Sequence, residues 1–464
     1  MYETDYLIVG AGAVGMNCAD VLLEETDADI LIVDRHSAAG GHWNDAYPFV
    51  RLHQPSVYYG VPSSALGSNQ IDRSGSNTGY YELPTGAEVS AYFEQVMRER
   101  FLTSGRVRFL PMREFDEDRS SLRTLLSGAE EPVKINRKII DTTYFGTSVP
   151  SCHTPKYEVD PQVRLVTPND LPKAAFAYRG FTIVGGGKTA MDTCVWLLEN
   201  GALASQIRWI VPRDSWLINR TVTQPGDDFF YGNLGGYASL LEAAAFGQDV
   251  GDIFARLEAS KYMLRIDTSV TPTMYRNATI SEGEVDVLRQ IKDVVRMGRV
   301  LRINSNMIEL EHGRIGADPD SLYIDCTAKA FSVRHTEPVF SPGRIFPQVI
   351  LNGSVCMSAA TIAFVEANYD DDDVKNDICA PIPLMDKDED WVPMIYWHLR
   401  NVERRSKEQD LGRWMRANRL TGFGKPKGTK ESPDPEYLEI LKRIKDATPI
   451  AYKNLRGLLN DAGP

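Results

Sequence analysis

Three glycines at Gly10, Gly12 and Gly15, and a second set at Gly185, Gly186 and Gly187, are the residues of this chain best suited to chemistry. In the spacing Gly-x-Gly-x-x-Gly, glycine lets a tight turn form and lets the backbone approach a pyrophosphate. Gly10-Ala11-Gly12-Ala13-Val14-Gly15 meets the spacing in full; in Gly185-Gly186-Gly187-Lys188-Thr189-Ala190 an alanine takes the third place, which the pattern tolerates. Gly10 and Gly185 stand 175 positions apart. Two such turns in one chain point to two nucleotide cofactors meeting at one active site, and so to redox chemistry between a flavin and a nicotinamide.

The flanking sequence supplies the elements that must position these turns. Tyr6-Leu7-Ile8-Val9 reads as a short buried strand, and a helix follows the glycines with Val14, Cys18, Val21 and Leu22 at near-helical spacing. Its free N–H groups and the positive end of its dipole would face the phosphates. Ile30-Leu31-Ile32-Val33 is a second strand ending at Asp34, an acid placed to bind a ribose diol. The second unit repeats the plan with Phe181-Thr182-Ile183-Val184, a helix through Ala190, Cys194, Leu197 and Leu198, and a strand from Ile207 to Val211. Arg213 stands about where the ribose-recognising acid would be. An arginine there can pair with a 2′-phosphate, which favours NADPH over NADH. Lys188 and Thr189 do not form a P-loop, because its Gly-x-x-x-x-Gly-Lys spacing is absent; Lys188 reads as a solvated lysine beside the pyrophosphate.

With 464 residues, 43% of them hydrophobic and 25% charged, the chain is long enough for two or three globular domains. Its net charge of −12 argues against a nucleic-acid partner. No apolar run reaches membrane-span length, and the first strand leaves no room for a signal peptide, so a cytoplasmic protein is expected. The six cysteines form no Cys-x-x-Cys pair, and the seven histidines show no metal-ligand spacing. We therefore expect no metal. Cys152 and His153 are neighbours on an extended segment and would point to opposite faces, which argues against a dyad. The fold class expected is α/β, with two Rossmann-like dinucleotide-binding domains and a helical insertion. Residues 1–170 would form the first part of one domain, 171–320 the second domain with its insertion at about 233–299, and 321–464 the rest of the first domain plus a C-terminal helical segment. Residues 60–86, rich in Ser, Gly, Asn and Pro, read as a long loop. The charged tail from Arg400 reads as a solvated face or a subunit contact, compatible with a homodimer.

Beyond the two fingerprints, Gly40-Gly41-His42-Trp43 and Tyr47-Pro48-Phe49-Val50-Arg51 follow Asp34. With these segments the chain resembles the class B flavin-dependent monooxygenases: the flavin-containing, Baeyer–Villiger and N-hydroxylating monooxygenases. The first segment is similar to their Gly-Gly-x-Trp and the second to their Tyr-Pro-Gly-x-Arg. The resemblance implies FAD at the first fingerprint and NADPH at the second. It also implies a small organic substrate oxygenated with O2 through a C4a-(hydro)peroxyflavin. It makes Gly41 and Trp43 part of a loop over the flavin. Arg51 is the implied cation stabilising peroxide charge, and His53 a group that moves its proton. Plain structural roles for Arg51, His53 and Trp43 stay open at this point. There are departures from the family's patterns. His53 stands where the Baeyer–Villiger group has an Asp, Phe-x-Gly-x-x-x-His is not met between the fingerprints, and Cys326-Thr327-Ala328 replaces the late Ala-Thr-Gly. They mark a divergent branch. An FAD- and NAD(P)H-dependent dehydrogenase or reductase without oxygen insertion is the alternative, and a non-catalytic redox-sensing flavoprotein a further one.

Overall fold

The computed structural model describes the chain except for residues 330, 333, 423, 430, 431 and 462–464. It opens with β1 (Tyr2–Val9), α1 (Ala13–Glu25) and β2 (Ile30–Asp34). Every residue of β2 is buried, as a parallel strand covered on both faces requires. After α2 (Gly86–Val96) come β3 (Val107–Pro111), β4 (Arg113–Asp116), β5 (Ser121–Thr124) and β6 (Glu130–Asp141). The order β3-β2-β1-β6 is parallel throughout, and the antiparallel β4-β5 excursion carries the chain across to the far side of β1. Thr85 and Glu88 close a reciprocal capping box that starts α2 where the 60–86 loop ends.

The second unit repeats this wiring. It comprises β7 (Glu158–Val159), β8 (Leu165–Val166), α3 (Leu171–Ala174), β9 (Gly180–Val184), α4 (Lys188–Glu199) and β10 (Ile207–Ile210). It continues with β11 (Ser215–Asn219), α5 (Phe230–Phe246), α6 (Val250–Ala259), β12 (Met263–Leu264), β13 (Met274–Ile280), α7 (Glu282–Leu288) and β14 (Asp293–Val295). Then follow β15 (Val300–Ile303), β16 (Met307–Leu310), β17 (Gly313–Gly316) and β18 (Ser321–Asp325). The sheet order is β14-β10-β9-β18-β8, with β15-β16-β17 as the antiparallel excursion before β18 returns beside β9. Both sheets therefore share the parallel order third-second-first-fourth, the mononucleotide-binding half of a Rossmann fold.

The chain then goes back to the first unit. β19 (Phe340–Ser341) and β20 (Arg344–Ile345) extend its sheet at β6, and α8 (Val355–Asn368) packs on α1. The helices α9 (Asp372–Ile378), α10 (Trp391–Arg405), α11 (Gln409–Ala417) and α12 (Pro435–Asp461) complete it. α12 lies along α5, and both contribute to an apolar core with α10.

Three expectations need correction. The second unit begins earlier than 171, because β8 pairs with β18 and β7 with β15. It ends later than 320, because β18 pairs with β9 along its whole length. The stretch 233–299 is helical only in part: β13, with Tyr275, Thr279 and Ile280, lies parallel to β11, and β14 is the third strand of the sheet. Pairing with β11, rather than a local sequence pattern, makes this segment a strand. Among the described residues, no helix is long and apolar enough to cross a membrane.

Candidate functional site

Each glycine turn lies between the first strand and first helix of its sheet. Gly10 has φ of +109°, a conformation side chains rarely adopt, and a Cβ at Gly15 would sit 2.0 Å from the Gly10 carbonyl oxygen. These two residues build the turn. Gly12 does something else: a Cβ there meets only Gly41, at 3.5 Å from its Cα, so the Gly40-Gly41 segment crosses directly over the first turn. In the second turn, Gly185 is in the same strained region, while a Cβ at Gly187 would meet nothing within 4 Å. Gly12 and Gly187 are the N-caps of α1 and α4, and neither helix start has a side-chain cap. Both helices leave their first N–H groups without a side-chain cap, which fits a pyrophosphate; the space is open at Gly187 and roofed by the Gly41 backbone at Gly12.

Asp34 ends β2 and is buried. Its Oδ2 accepts from Ala11 N–H at 2.6 Å, and its Oδ1 accepts from His36 N–H at 2.8 Å and lies 2.8 Å from His36 Nδ1. The other His36 nitrogen lies 2.7 Å from Asp45. Burial lowers the His36 pKa, but these two carboxylates outweigh it and leave it raised. Trp43 is buried. It donates its indole N–H to Tyr59 at 2.8 Å and stacks on His42 at 5.2 Å between centroids.

Lys188 corrects the solvated reading. Its side chain is 9% exposed, and its ammonium pairs with Asp192 one turn along α4 and with Glu284 of α7 at 3.1 Å. Glu284 also takes the fully buried Arg220 guanidinium at 2.5 Å. Tyr47 donates its hydroxyl to Asp192 Oδ2 at 2.8 Å, and His53 Nε2 lies 3.9 Å from the same oxygen. Tyr47, His53, Lys188, Asp192, Arg220 and Glu284 thus form one cluster at the start of α4. Buried charges must be paired, and here two cations meet two carboxylates. Burial opposes ionisation of Glu284, but Lys188 and Arg220 hold its carboxyl far below the usual range.

His53 is half-buried. Its side chain is 39% exposed, yet the surrounding protein and then Lys188 and Arg220 push its pKa down to about 4. Burial also takes His42 and His398 down to about 4. All three bind protons more weakly folded than unfolded, where the imidazole titrates near 6.5. Their contribution to stability is complete above that value and is lost as pH falls towards 4. Urea unfolding midpoints should therefore fall between pH 7 and pH 4.5; an unchanged midpoint would mean that these imidazoles are not held neutral.

Arg51 and Arg213 are engaged by groups outside the cluster. Arg51 is exposed; its Nη1 donates to the Leu83 carbonyl at 3.0 Å, and its backbone bridges Thr85. Arg213, past the end of β10, donates through Nη2 to both oxygens of Asp386 at 3.1 and 3.0 Å, and Arg276 binds the same carboxylate. Thr189 lies in the first turn of α4. Cys152 is exposed, and His153 Nε2 lies 3.1 Å from Thr327 Oγ1, so the two side chains form no dyad. Among the described residues, no group of three His, Cys, Asp or Glu could hold a metal. Sequence reasoning missed Asp192, Arg220, Glu284 and Asp386. The one local sign was the i,i+4 spacing of Lys188 and Asp192.

Residues 8–66 match the family described as NAD(P)-binding Rossmann-like domain. Uncharacterized proteins of Mycobacterium tuberculosis (Rv2000) and Mycobacterium bovis (Mb2023) are each 46% identical over 418 residues, spanning 90% of this chain and 77% of theirs. Among solved structures, a flavin-containing monooxygenase from Stenotrophomonas maltophilia is 15% identical over 79% of this chain and 98% of its own, with a TM-score of 0.45. An open crystal structure of cyclohexanone monooxygenase is 13% identical over 79% of this chain and 89% of its own, with a TM-score of 0.47. A bacillithiol disulfide reductase from Staphylococcus aureus is 10% identical over 79% of this chain and 98% of its own, with a TM-score of 0.43. At these levels of similarity, function has to be argued from the chain's own geometry.

Proposed function

The chain belongs to the same family as the mycobacterial proteins Rv2000 and Mb2023, and from its own two glycine turns we propose that it is an FAD-dependent, NADPH-consuming monooxygenase acting on a small organic substrate and O2. The observation that carries this reading is the pair of glycine turns, Gly12 under the Gly41 backbone and Gly187 facing empty space, each ahead of an uncapped helix at the same point of two sheets wired alike. In open α/β sheets that point is where a dinucleotide lies.

In this reading Gly10, Gly12, Gly15 and Gly41 hold the FAD pyrophosphate, Asp34 the ribose, and Trp43 packs at the flavin. Gly185, Gly187 and Thr189 hold the NADPH pyrophosphate. Lys188 supports that turn through its ion pairs. Arg213 takes the 2′-phosphate, which displaces Asp386 as its partner. When bound, the nicotinamide supplies a hydride and the flavin takes it and passes electrons to O2. The protein's share is to orient the two rings, exclude water and handle protons. His53, neutral at pH 7, can accept a proton beside the second turn. Arg51 is the cation proposed to stabilise developing negative charge.

The departures at His53 and at Cys326-Thr327-Ala328 favour keeping one other reading, a dehydrogenase or reductase that moves hydride without oxygen insertion. Mixing the NADPH-reduced protein with O2 separates the two. The monooxygenase reading expects reoxidation in two resolved phases, the first prolonged by NADP⁺ and the second yielding oxygenated product in the presence of substrate. Single-phase reoxidation that NADP⁺ does not alter would favour the dehydrogenase.

A further inference from the structure

The cluster at the start of α4 assigns work to a residue that the cofactor reading leaves idle. Asp192 is held from two sides: its Oδ1 by the Lys188 ammonium and its Oδ2 by the Tyr47 hydroxyl at 2.8 Å. Lys188 is itself fixed by Glu284, and Glu284 by Arg220 and by the Ser281 N–H at 2.9 Å. Asp192 is thus held by both oxygens, and its Oδ2, the carboxylate oxygen that faces the ring, stands 3.9 Å from His53 Nε2. His53 makes no hydrogen bond within the chain among the described residues, so nothing else selects its tautomer.

We propose that Asp192 is a positioning residue that fixes the proton of neutral His53 on Nε2, leaving Nδ1 as the base that takes up and returns a proton beside the second glycine turn. This rests on the two-cofactor reading for its chemistry, but not for its test. In the step, a group X–H at the exposed side of His53 loses its proton to Nδ1. The X–H electron pair stays on X, and an N–H bond forms. The imidazolium then donates Nε2–H to Asp192, whose charge offsets it, and the reverse step returns the proton to a later intermediate or to solvent. Asp192 acts only through His53. The charged groups facing His53 are Asp192 and Lys188 from α4, Glu284 from α7 and Arg220 from the turn after β11. They set its basicity together: the two cations discourage protonation, and the two carboxylates limit that effect.

The test is long-range ¹H–¹⁵N correlation spectroscopy of the protein labelled with ¹⁵N-histidine, the His53 signals being those lost in His53→Asn. In the wild type at pH 7 the proton should reside on Nε2, with Nδ1 unprotonated, and the titration midpoint should lie near 4. Lys188→Met should raise that midpoint by about one unit or more, since it removes a nearby like charge. Asp192→Asn should give a mixture of tautomers, and Asp192→Glu should restore the Nε2–H form. A wild-type His53 protonated on Nδ1, or titrating near 6.5, overturns the proposal even if no variant folds. A tautomer unchanged in folded Asp192→Asn overturns it as well. Flavin content, read from the visible spectrum of the same samples, reports on the cofactor reading separately: a colourless protein with the expected His53 signals would sink that reading and leave this assignment standing.

Discussion

Gly187→Trp is expected to lose NADPH and NADP⁺ binding by about 100-fold or more while its FAD content and thermal stability stay at wild-type levels. Gly187 has φ of −89° and ψ of 179°, extended backbone that any residue adopts. Nothing lies within 4 Å of a Cβ placed there, so an indole enters empty space rather than the protein. That space lies in front of the uncapped N–H groups of α4, where the pyrophosphate would be bound. Losing two charge-assisted hydrogen bonds at about 1.5–3 kcal/mol each accounts for the size of the effect. Isothermal titration of the variant with NADP⁺ checks it. Undiminished binding in a folded variant would place the nicotinamide nucleotide elsewhere.

The second large effect is on stability. Glu284→Gln should destabilise the protein by about 3–5 kcal/mol, the cost of breaking a buried ion cluster by removing one partner. Glu284 is 9% exposed and joins Lys188 to Arg220; without its charge, Asp192 is the carboxylate left in the cluster for two buried cations. The Ser281 capping box that starts α7 keeps its hydrogen-bonding geometry with glutamine, so the loss reports charge rather than helix capping. Urea unfolding of variant and wild type measures it. A difference below about 1 kcal/mol would mean that the cluster is solvated like a surface ion pair.

The two glycine turns were legible in the sequence because everything that makes them is local: an apolar strand, glycines at fixed offsets, an amphipathic helix and a second strand within about 30 residues. The ion cluster was not. Lys188, Arg220 and Glu284 come from a helix, a turn after a strand and another helix, and no periodicity marks residues 96 positions apart as partners. Arg213 was read from its position alone, and sequence could not reveal that Asp386, far along the chain, already binds it together with Arg276. The unit boundaries were misplaced at β8 and β18 because the edge strand β8 and the interior strand β18 take their partners from segments distant in sequence. The helical reading of 233–299 failed at β13, where pairing with β11 decides the structure.

The central claim is that FAD and NADPH bind this one chain and exchange a hydride. The most direct measurement is an anaerobic titration of the FAD-loaded protein with NADPH, followed in the visible flavin band, with NADH as the comparison. The account predicts that one equivalent of NADPH bleaches one flavin and that NADH does so at much higher concentration. A protein that cannot be loaded with FAD, or a bound flavin that excess NADPH leaves oxidised, would contradict it.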